Sequence, residues 1–238
     1  LGEWRNIANA KAILSALFLQ AGDPIVERDS DDTLNVVFGT NTPDASANPA
    51  ASVLRFYTDF ANPSKTSYSW NRALSQARDV FTSGDLAVYF GFASEYQVLA
   101  ERNPNIRFSV AVLPQIEGSA VRATFGRLLG LAIPRGAAHV EGALTIAQKL
   151  TSKDAGVVVA QITNLPSVRR DVSFDASANA VFDIFAQSAL IANGWLDPNP
   201  LATDEIFQSM VESRASGKLA PSGAVGEGVR ALQDLLPH

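Results

Sequence analysis

Phe81-Thr-Ser-Gly84-Asp-Leu-Ala87-Val-Tyr-Phe90-Gly91 is the stretch on which the fold turns. The pattern before it predicts a helix from about Asn71 to Thr82. Gly84 closes that helix, because glycine takes the left-handed C-cap conformation without a Cβ penalty. Leu86 to Phe90 reads as a short apolar strand, and a turn leads into a helix from about Ala93 to Arg102. Asn103-Pro104-Asn105 breaks that helix. Ile106 to Leu113 places Phe108, Val110 and Val112 at alternate positions, which predicts a strand, and Val112-Leu113-Pro114-Gln115 ends it.

Upstream, Trp4 to Ala21 reads as a helix, with Ile13, Leu14, Leu17 and Phe18 at helical spacing and Gly22 and Pro24 as its stop. Glu27 to Asn48 is polar and acidic, a surface loop with room for a short strand or two. Ala50 to Phe60 is a second helix, and Pro63 to Ser69 a turn-rich connection. Downstream, Leu128 to Ile133 is a nearly continuous apolar run, which predicts a strand covered on both faces. His139 to Leu150 is helical, as is Asp154 to Thr163 behind the N-cap Ser152, with Asn164-Leu165-Pro166 ending the pair. Three more helices are expected at about Ala178 to Ala192, Thr203 to Ser216 (stopped by Gly217) and Ser222 to Leu236. Strands and helices are mixed, with helices in the majority, so the fold class is α/β with helices on the faces of small sheets.

The totals exclude several functions. Of 238 residues, 47% are hydrophobic and 18% charged, a balance that supports a packed core rather than disorder. No apolar run reaches the roughly 18 residues that would span a bilayer. The net charge is −5 and the basic residues are scattered, Arg169-Arg170 being the one basic doublet, so nucleic acid is not an expected partner. With no cysteine, disulfides, thiolate metal sites and cysteine nucleophiles are excluded together.

Catalytic arrangements are equally hard to assemble. The two histidines are His139, at a helix start, and His238, the last residue, and neither is placed as the base of a Ser-His-Asp arrangement. A glycoside hydrolase needs two carboxylates across a cleft, and Glu95 has no evident second. The acidic run Asp29-Ser30-Asp31-Asp32 puts Leu34 and Thr40 where a calcium loop of the EF-hand type needs glycine and glutamate, so it reads as a solvated loop. Gly223-Ala-Val-Gly226-Glu-Gly228 lacks dinucleotide-binding spacing and reads as a loosely wound helix start. No enzyme activity, cofactor or metal is expected.

The Phe81–Gln115 order, a helix ending in F-x-x-G, an apolar strand, a turn, a helix and a strand ending in L-P, resembles the family 1 extracellular solute-binding proteins of ABC importers, the group that contains maltose-binding protein. The resemblance extends downstream. Phe125-Gly126 through Pro134 is similar to the family's return strand, and Leu150-Thr-Ser-Lys-Asp154 to the turn between its paired helices. Asn164-Leu165-Pro166 matches its crossing segment, and Val211 to Leu236 its C-terminal helices. Two departures stand out: Ala87-Val88 replaces the family's A-M, and the turn Phe92-Ala-Ser-Glu-Tyr96 lacks the tryptophan common in sugar binders.

The resemblance implies a periplasmic-binding-protein type II-like fold, mainly the C-terminal lobe plus part of the N-terminal lobe. Residues 1–112 and 166–238 would form the C-terminal lobe, and 113–165 part of the N-terminal lobe with the hinge crossings. Segments beginning the N-terminal lobe would precede Leu1. It further implies a monomeric extracytoplasmic receptor, anchored as a lipoprotein through that upstream segment. Such a receptor closes by hinge motion on a carbohydrate or similar polar small molecule and delivers it to the membrane subunits of an ABC importer. A sensory or surface receptor of the same fold is the alternative.

Sugars are held by aromatic faces packed on ring C–H groups and by planar polar groups that bond the hydroxyls. The candidate ligand-binding residues are therefore Trp4, Asn9, Trp70, Asn71, Phe92, Ser94, Tyr96, Phe125 and Arg127. For each tryptophan, core packing is the competing reading. Trp195, in Gly194-Trp-Leu-Asp-Pro198, reads as a packing anchor at a helix end.

Overall fold

The computed structural model describes residues 1–40, 48–172 and 180–236. The chain divides into two compact units, one of residues 1–91, 114–125 and 193–238, the other of residues 92–113 and 126–192. These boundaries differ from the lobes expected above: residues 92–112 and 166–192 group with 126–165, and 114–125 groups with the N-terminal ninety.

The first unit carries helices α1 (Ala10–Gln20), α2 (Pro49–Asp59) and α3 (Ala77–Ser83), with strands β1 (Val26–Arg28) and β2 (Leu34–Val36) between α1 and α2. The strands pair antiparallel, Val26 opposite Val36. The acidic run builds their connection. Asp29 accepts from the Asn35 amide at 2.6 Å, Asp31 from the Thr33 N–H, and Asp32 pairs with Arg28 at 2.7 Å. Asp32 takes a positive φ of 73°, which an Asp in a tight turn tolerates.

Capping sets the helix ends. Asn48 accepts the Ala51 N–H and Pro49 occupies the first turn of α2, where its missing N–H is no loss. α3 stops at Gly84, whose φ of 94° is the left-handed cap read from the sequence. Two helices are shorter than expected. α1 begins at Ala10 rather than Trp4, because residues 4–9 wind as tight turns held by Ile7 N–H to Trp4 O and Ala10 N–H to Ile7 O. α3 begins at Ala77 rather than Asn71, because Asn6 claims the carbonyls of Asn71 and Leu74 and accepts the Ala77 N–H on its own backbone oxygen.

Two long helices complete this unit: α8 (Pro200–Ala215) and α9 (Pro221–Gln233), packed on each other and on α2. Each starts with proline in its first turn, α8 three residues and α9 one residue earlier than expected. Gly223, Gly226 and Gly228 lie inside regular helix, which corrects the loosely wound start. Gly228 is where the two helices meet, since a Cβ there would run into the Met210 thioether. The core is a cluster of Phe18, Phe38 and Phe207 rings, with Trp195 stacked on Phe207 at 6.0 Å. Beneath β2, buried Asp23 accepts the Gly39 N–H with both carboxylate oxygens. Burial pushes its carboxyl above the usual range, against those backbone bonds.

The second unit holds a short 3₁₀ turn (Ala93–Glu95) and four helices. They are α4 (Tyr96–Arg102), α5 (Val140–Leu150), α6 (Lys153–Thr163) and α7 (Ala180–Leu190). The expected start of α7 at Ala178 lies outside the described residues. Ser152 caps α6 as read from the sequence, accepting the Ala155 N–H. The core is small: Leu99, Ala160 and Phe185 are its buried apolar residues among those described. Tyr96 meets Phe108 and Phe185 edge-on at 5.4 and 5.9 Å.

Three expected strands are not formed. Residues 86–90, 106–113 and 128–133 form no ladder among the described residues. The run at 128–133 also departs from the expectation of a strand covered on both faces: Leu129 is 99% exposed. An apolar extended run becomes a strand only beside a partner edge, and the described residues offer it none. The remaining strands, β3 (Thr124–Phe125) and β4 (Ala192–Asn193), are two residues each.

Candidate functional site

Five of the candidate residues lie in the first unit. Trp4 is buried, and its indole N–H donates to Asp204 at 3.3 Å. Trp70 is 4% exposed, and its indole N–H donates to the Asn6 side-chain oxygen at 3.0 Å. Both belong to the hydrophobic core, the packing reading of these residues. Asn71 is held locally, donating to the Tyr68 hydroxyl and accepting the Ala73 N–H.

Asn9 occupies the N-cap position of α1 without capping it. Its amide reaches instead to the Tyr89 hydroxyl and the Phe90 carbonyl, each at 3.1 Å. A mid-chain asparagine thereby fastens the extended segment after α3 to the start of α1. Phe125 is half-buried in β3, which packs on α1. The Gln20 amide holds the strand's approach by donating to the carbonyls of Pro114 and Ala123.

In the second unit the structure brings Phe92 and Arg127 together. The guanidinium lies over the Phe92 ring, 5.1 Å from its centroid, a cation–π geometry. The turn that presents Phe92 is self-braced: the Phe92 N–H donates to the Glu95 carboxylate at 2.8 Å, and the Glu95 N–H returns to the Phe92 carbonyl. That bond gives Glu95 a positioning task. Ser94 is exposed on the same turn, and Tyr96 begins α4 half-buried. Gly126, beside Arg127, lies close to Ala192, so a Cβ there would sit 3.0 Å from the Ala192 methyl. The result is an aromatic ring, a guanidinium and a hydroxyl on one small patch. Such a patch can bind a polar ring by stacking and hydrogen bonding.

Sequence reasoning missed several residues that fix these positions. Asn6 joins Trp70 to the loop before α3, and Tyr89 receives Asn9. Lys11 sits over the Trp195 ring, pairs with Asp197 at 2.6 Å and donates to Thr203. The Trp195 indole N–H donates to Ser15, as suits a packing anchor. An asparagine next to a turn is too common a signal to have singled out Asn6. Lys11 and Asp197 are 186 positions apart, beyond any local pattern. Among the described residues, no group of three or more His, Cys, Asp or Glu side chains could hold a metal ion.

Residues 7–183 match the family model described as bacterial extracellular solute-binding protein. No curated protein matches the chain. Among solved structures, a cyclo/maltodextrin-binding protein complexed with maltotetraose is similar at 19% identity and a TM-score of 0.68. The alignment covers 96% of this chain and 58% of that one. An ABC transporter solute-binding protein from Thermotoga lettingae, bound with α-D-tagatose, is 20% identical at a TM-score of 0.61, covering 99% and 59%. The maltose/maltodextrin-binding domain of Bdellovibrio bacteriovorus, bound to maltotriose, is 14% identical at 0.63, covering 98% and 60%. The fold is the type II periplasmic-binding-protein fold, and the chain spans about three fifths of the length of the solved structures it matches.

Proposed function

Because the chain belongs to the family of bacterial extracellular solute-binding proteins, we propose that it is the larger part of a receptor that binds a carbohydrate and delivers it to an ABC importer. The observation that carries this reading is the alignment of 96% of the chain with a maltodextrin-binding protein at a TM-score of 0.68. The Phe92–Arg127 patch supports it chemically. An aromatic face suits the C–H side of a sugar ring, and a guanidinium beside it suits the hydroxyls. Function requires reversible binding without turnover. What the importer must recognise is a ligand-bound state that differs from the free one, and ligand affinity for that state supplies the difference.

The finer features belong to the same proposal: a monomeric extracytoplasmic protein, anchored by lipid, whose lobes close by a hinge. Phe92, Ser94, Tyr96 and Arg127 would be ligand contacts, while Asn9 and Phe125 hold segments of the first unit in place.

Thermal shift of the full-length polypeptide against maltotriose, maltotetraose, tagatose, amino acids and oligopeptides tests this reading. A ligand at one hundred times its Kd stabilises the folded state by about 2.7 kcal/mol. A response to oligopeptides with none to any sugar overturns the ligand class. Phe92→Ala and Arg127→Ala are each expected to weaken sugar binding at least tenfold; for exposed Arg127 the melting temperature of the free protein should stay within about 2 °C, since surface substitutions stay within about 0.5 kcal/mol.

A further inference from the structure

The chain passes between the two units at four places: after Gly91, before Pro114, after Phe125 and before Asn193. At each of them a side chain of α1, or of its N-cap, holds the neighbouring residues of the first unit. The Asn9 amide donates to the Tyr89 hydroxyl and the Phe90 carbonyl, on the segment that ends at Gly91. The Gln20 amide serves two crossings at once, donating to the Pro114 carbonyl at 3.0 Å and to the Ala123 carbonyl at 2.9 Å. β3, whose last residue is Phe125, packs on α1 beside them. The chain that returns at Asn193 is held by Ser15, which accepts the Trp195 indole N–H at 3.2 Å. Lys11 holds the same segment through Asp197 and the Pro200 carbonyl. All of these bonds lie within the first unit.

The residue types are not what packing alone asks for. Ser15 and Gln20 are buried, and burying an amide or hydroxyl costs free energy unless it is hydrogen-bonded. A leucine would fill the end of α1 without that requirement. What the amide adds is direction, because a hydrogen bond fixes where a carbonyl lies and an apolar contact does not. Helical periodicity distributes the grips. Asn9 and Gln20 are eleven positions apart, three turns, and face the same way. Lys11 and Ser15 are one turn apart and share the other side.

We propose that α1 is the common anchor of all four crossings, and that Asn9 and Gln20 are positioning residues that limit how freely the second unit moves on the chain joining it to the first. Hinge motion is absorbed by a few residues at the ends of elements. Holding every crossing to one helix confines that motion to the short stretches beyond Phe90, Pro114, Ala123 and Trp195. The proposal rests on the hinge reading above and goes beyond it by naming the side chains that set the hinge's freedom.

The test compares Gln20→Leu and Asn9→Ala with the parent in the full-length polypeptide, without solute. Spin labels on Ser64→Cys in the first unit and Gln148→Cys in the second, both exposed positions, report the distance distribution between the units. The 238 residues contain no cysteine to compete for the label. Each variant is expected to widen the distribution at least about 1.5-fold. Hydrogen exchange should locate the cause: about tenfold faster at residues 115–125 in Gln20→Leu and at residues 88–91 in Asn9→Ala, each leaving the other segment unchanged. Leu232→Val, which removes a buried methylene from α9, is the control for lost stability and should leave the width unchanged. Unchanged widths in both variants overturn the proposal, and so does a Leu232→Val distribution as wide as theirs. If Gln20→Leu does not fold, the half-buried Asn9→Ala carries the comparison alone. No measurement involves solute, so failure of the sugar-binding reading leaves these outcomes unaffected.

Discussion

Trp70 and Phe92 make opposite cases at the scale of single residues. Trp70 fills the core of the first unit and spends its one polar atom on Asn6. Trp70→Ala therefore leaves both a cavity and an orphaned acceptor, and is expected to cost about 3–5 kcal/mol in urea denaturation. A loss below about 1 kcal/mol, within the range of surface substitutions, would return Trp70 to the candidate contacts. Phe92 is half-buried with a guanidinium over its ring, so its truncation should register in binding more than in stability. Glu212 offers a pH-dependent case. A hydrogen bond from Gln208, and then the nearby Arg5, hold its carboxyl below the usual range. A carboxylate with a lowered folded-state value contributes stability above its unfolded value near 4.5, and the contribution is lost as pH falls through the folded value. Arg5 is largely exposed, so Glu212→Gln should cost less than about 1 kcal/mol at pH 7. The difference should shrink as the pH of the melt falls below about 4.5 and through the lower folded-state value. Of these residues the sequence disclosed the types and not the partners. Trp70 carries the same letter in a core as in a cleft, and only Asn6, 64 positions away, decides between them.

At the scale of elements, α8 and α9 meet at a glycine. Gly228 is buried in mid-helix, where alanine would ordinarily gain about 1 kcal/mol from helix propensity. Its Cβ would drive the buried Met210 from its place, and such overpacking costs about 1–3 kcal/mol. Gly228→Ala is thus expected to destabilise on balance, by about 1 kcal/mol. Met210→Ala in the Gly228→Ala background should cost at least about 0.5 kcal/mol less than in the parent, since the two side chains compete for one space. Additive losses in a double-mutant cycle would refute the close contact. Helices were the legible elements because their signals are local: Ser152, Gly84 and Gly217 each mark an end that the structure keeps. Strands were not legible in the same way. Leu128 to Ile133 has a buried strand's composition, but a strand exists only when another edge bonds to it, and that edge is not a property of the run itself.

At the scale of the whole molecule, the two units differ in how much they bury. The first has a continuous core built from α1, α2, α8 and α9 around the Phe18–Phe38–Phe207 rings, while the second has three buried apolar residues among those described. Regions with few buried apolar groups open at lower free energy than well-packed ones. In the 238-residue chain, brief proteolysis should therefore cut first within residues 92–113 and 126–192, and fragments of the first unit should persist longest. Chymotrypsin-like cleavage at Leu128, Leu129 or Leu144 is the expected early event, because these side chains are exposed on segments with little tertiary support. Hydrogen exchange should show the same order, with α8 and α9 among the slowest segments and α5 among the fastest. Uniform protection across both units would mean that the second is as stable as the first despite its small core.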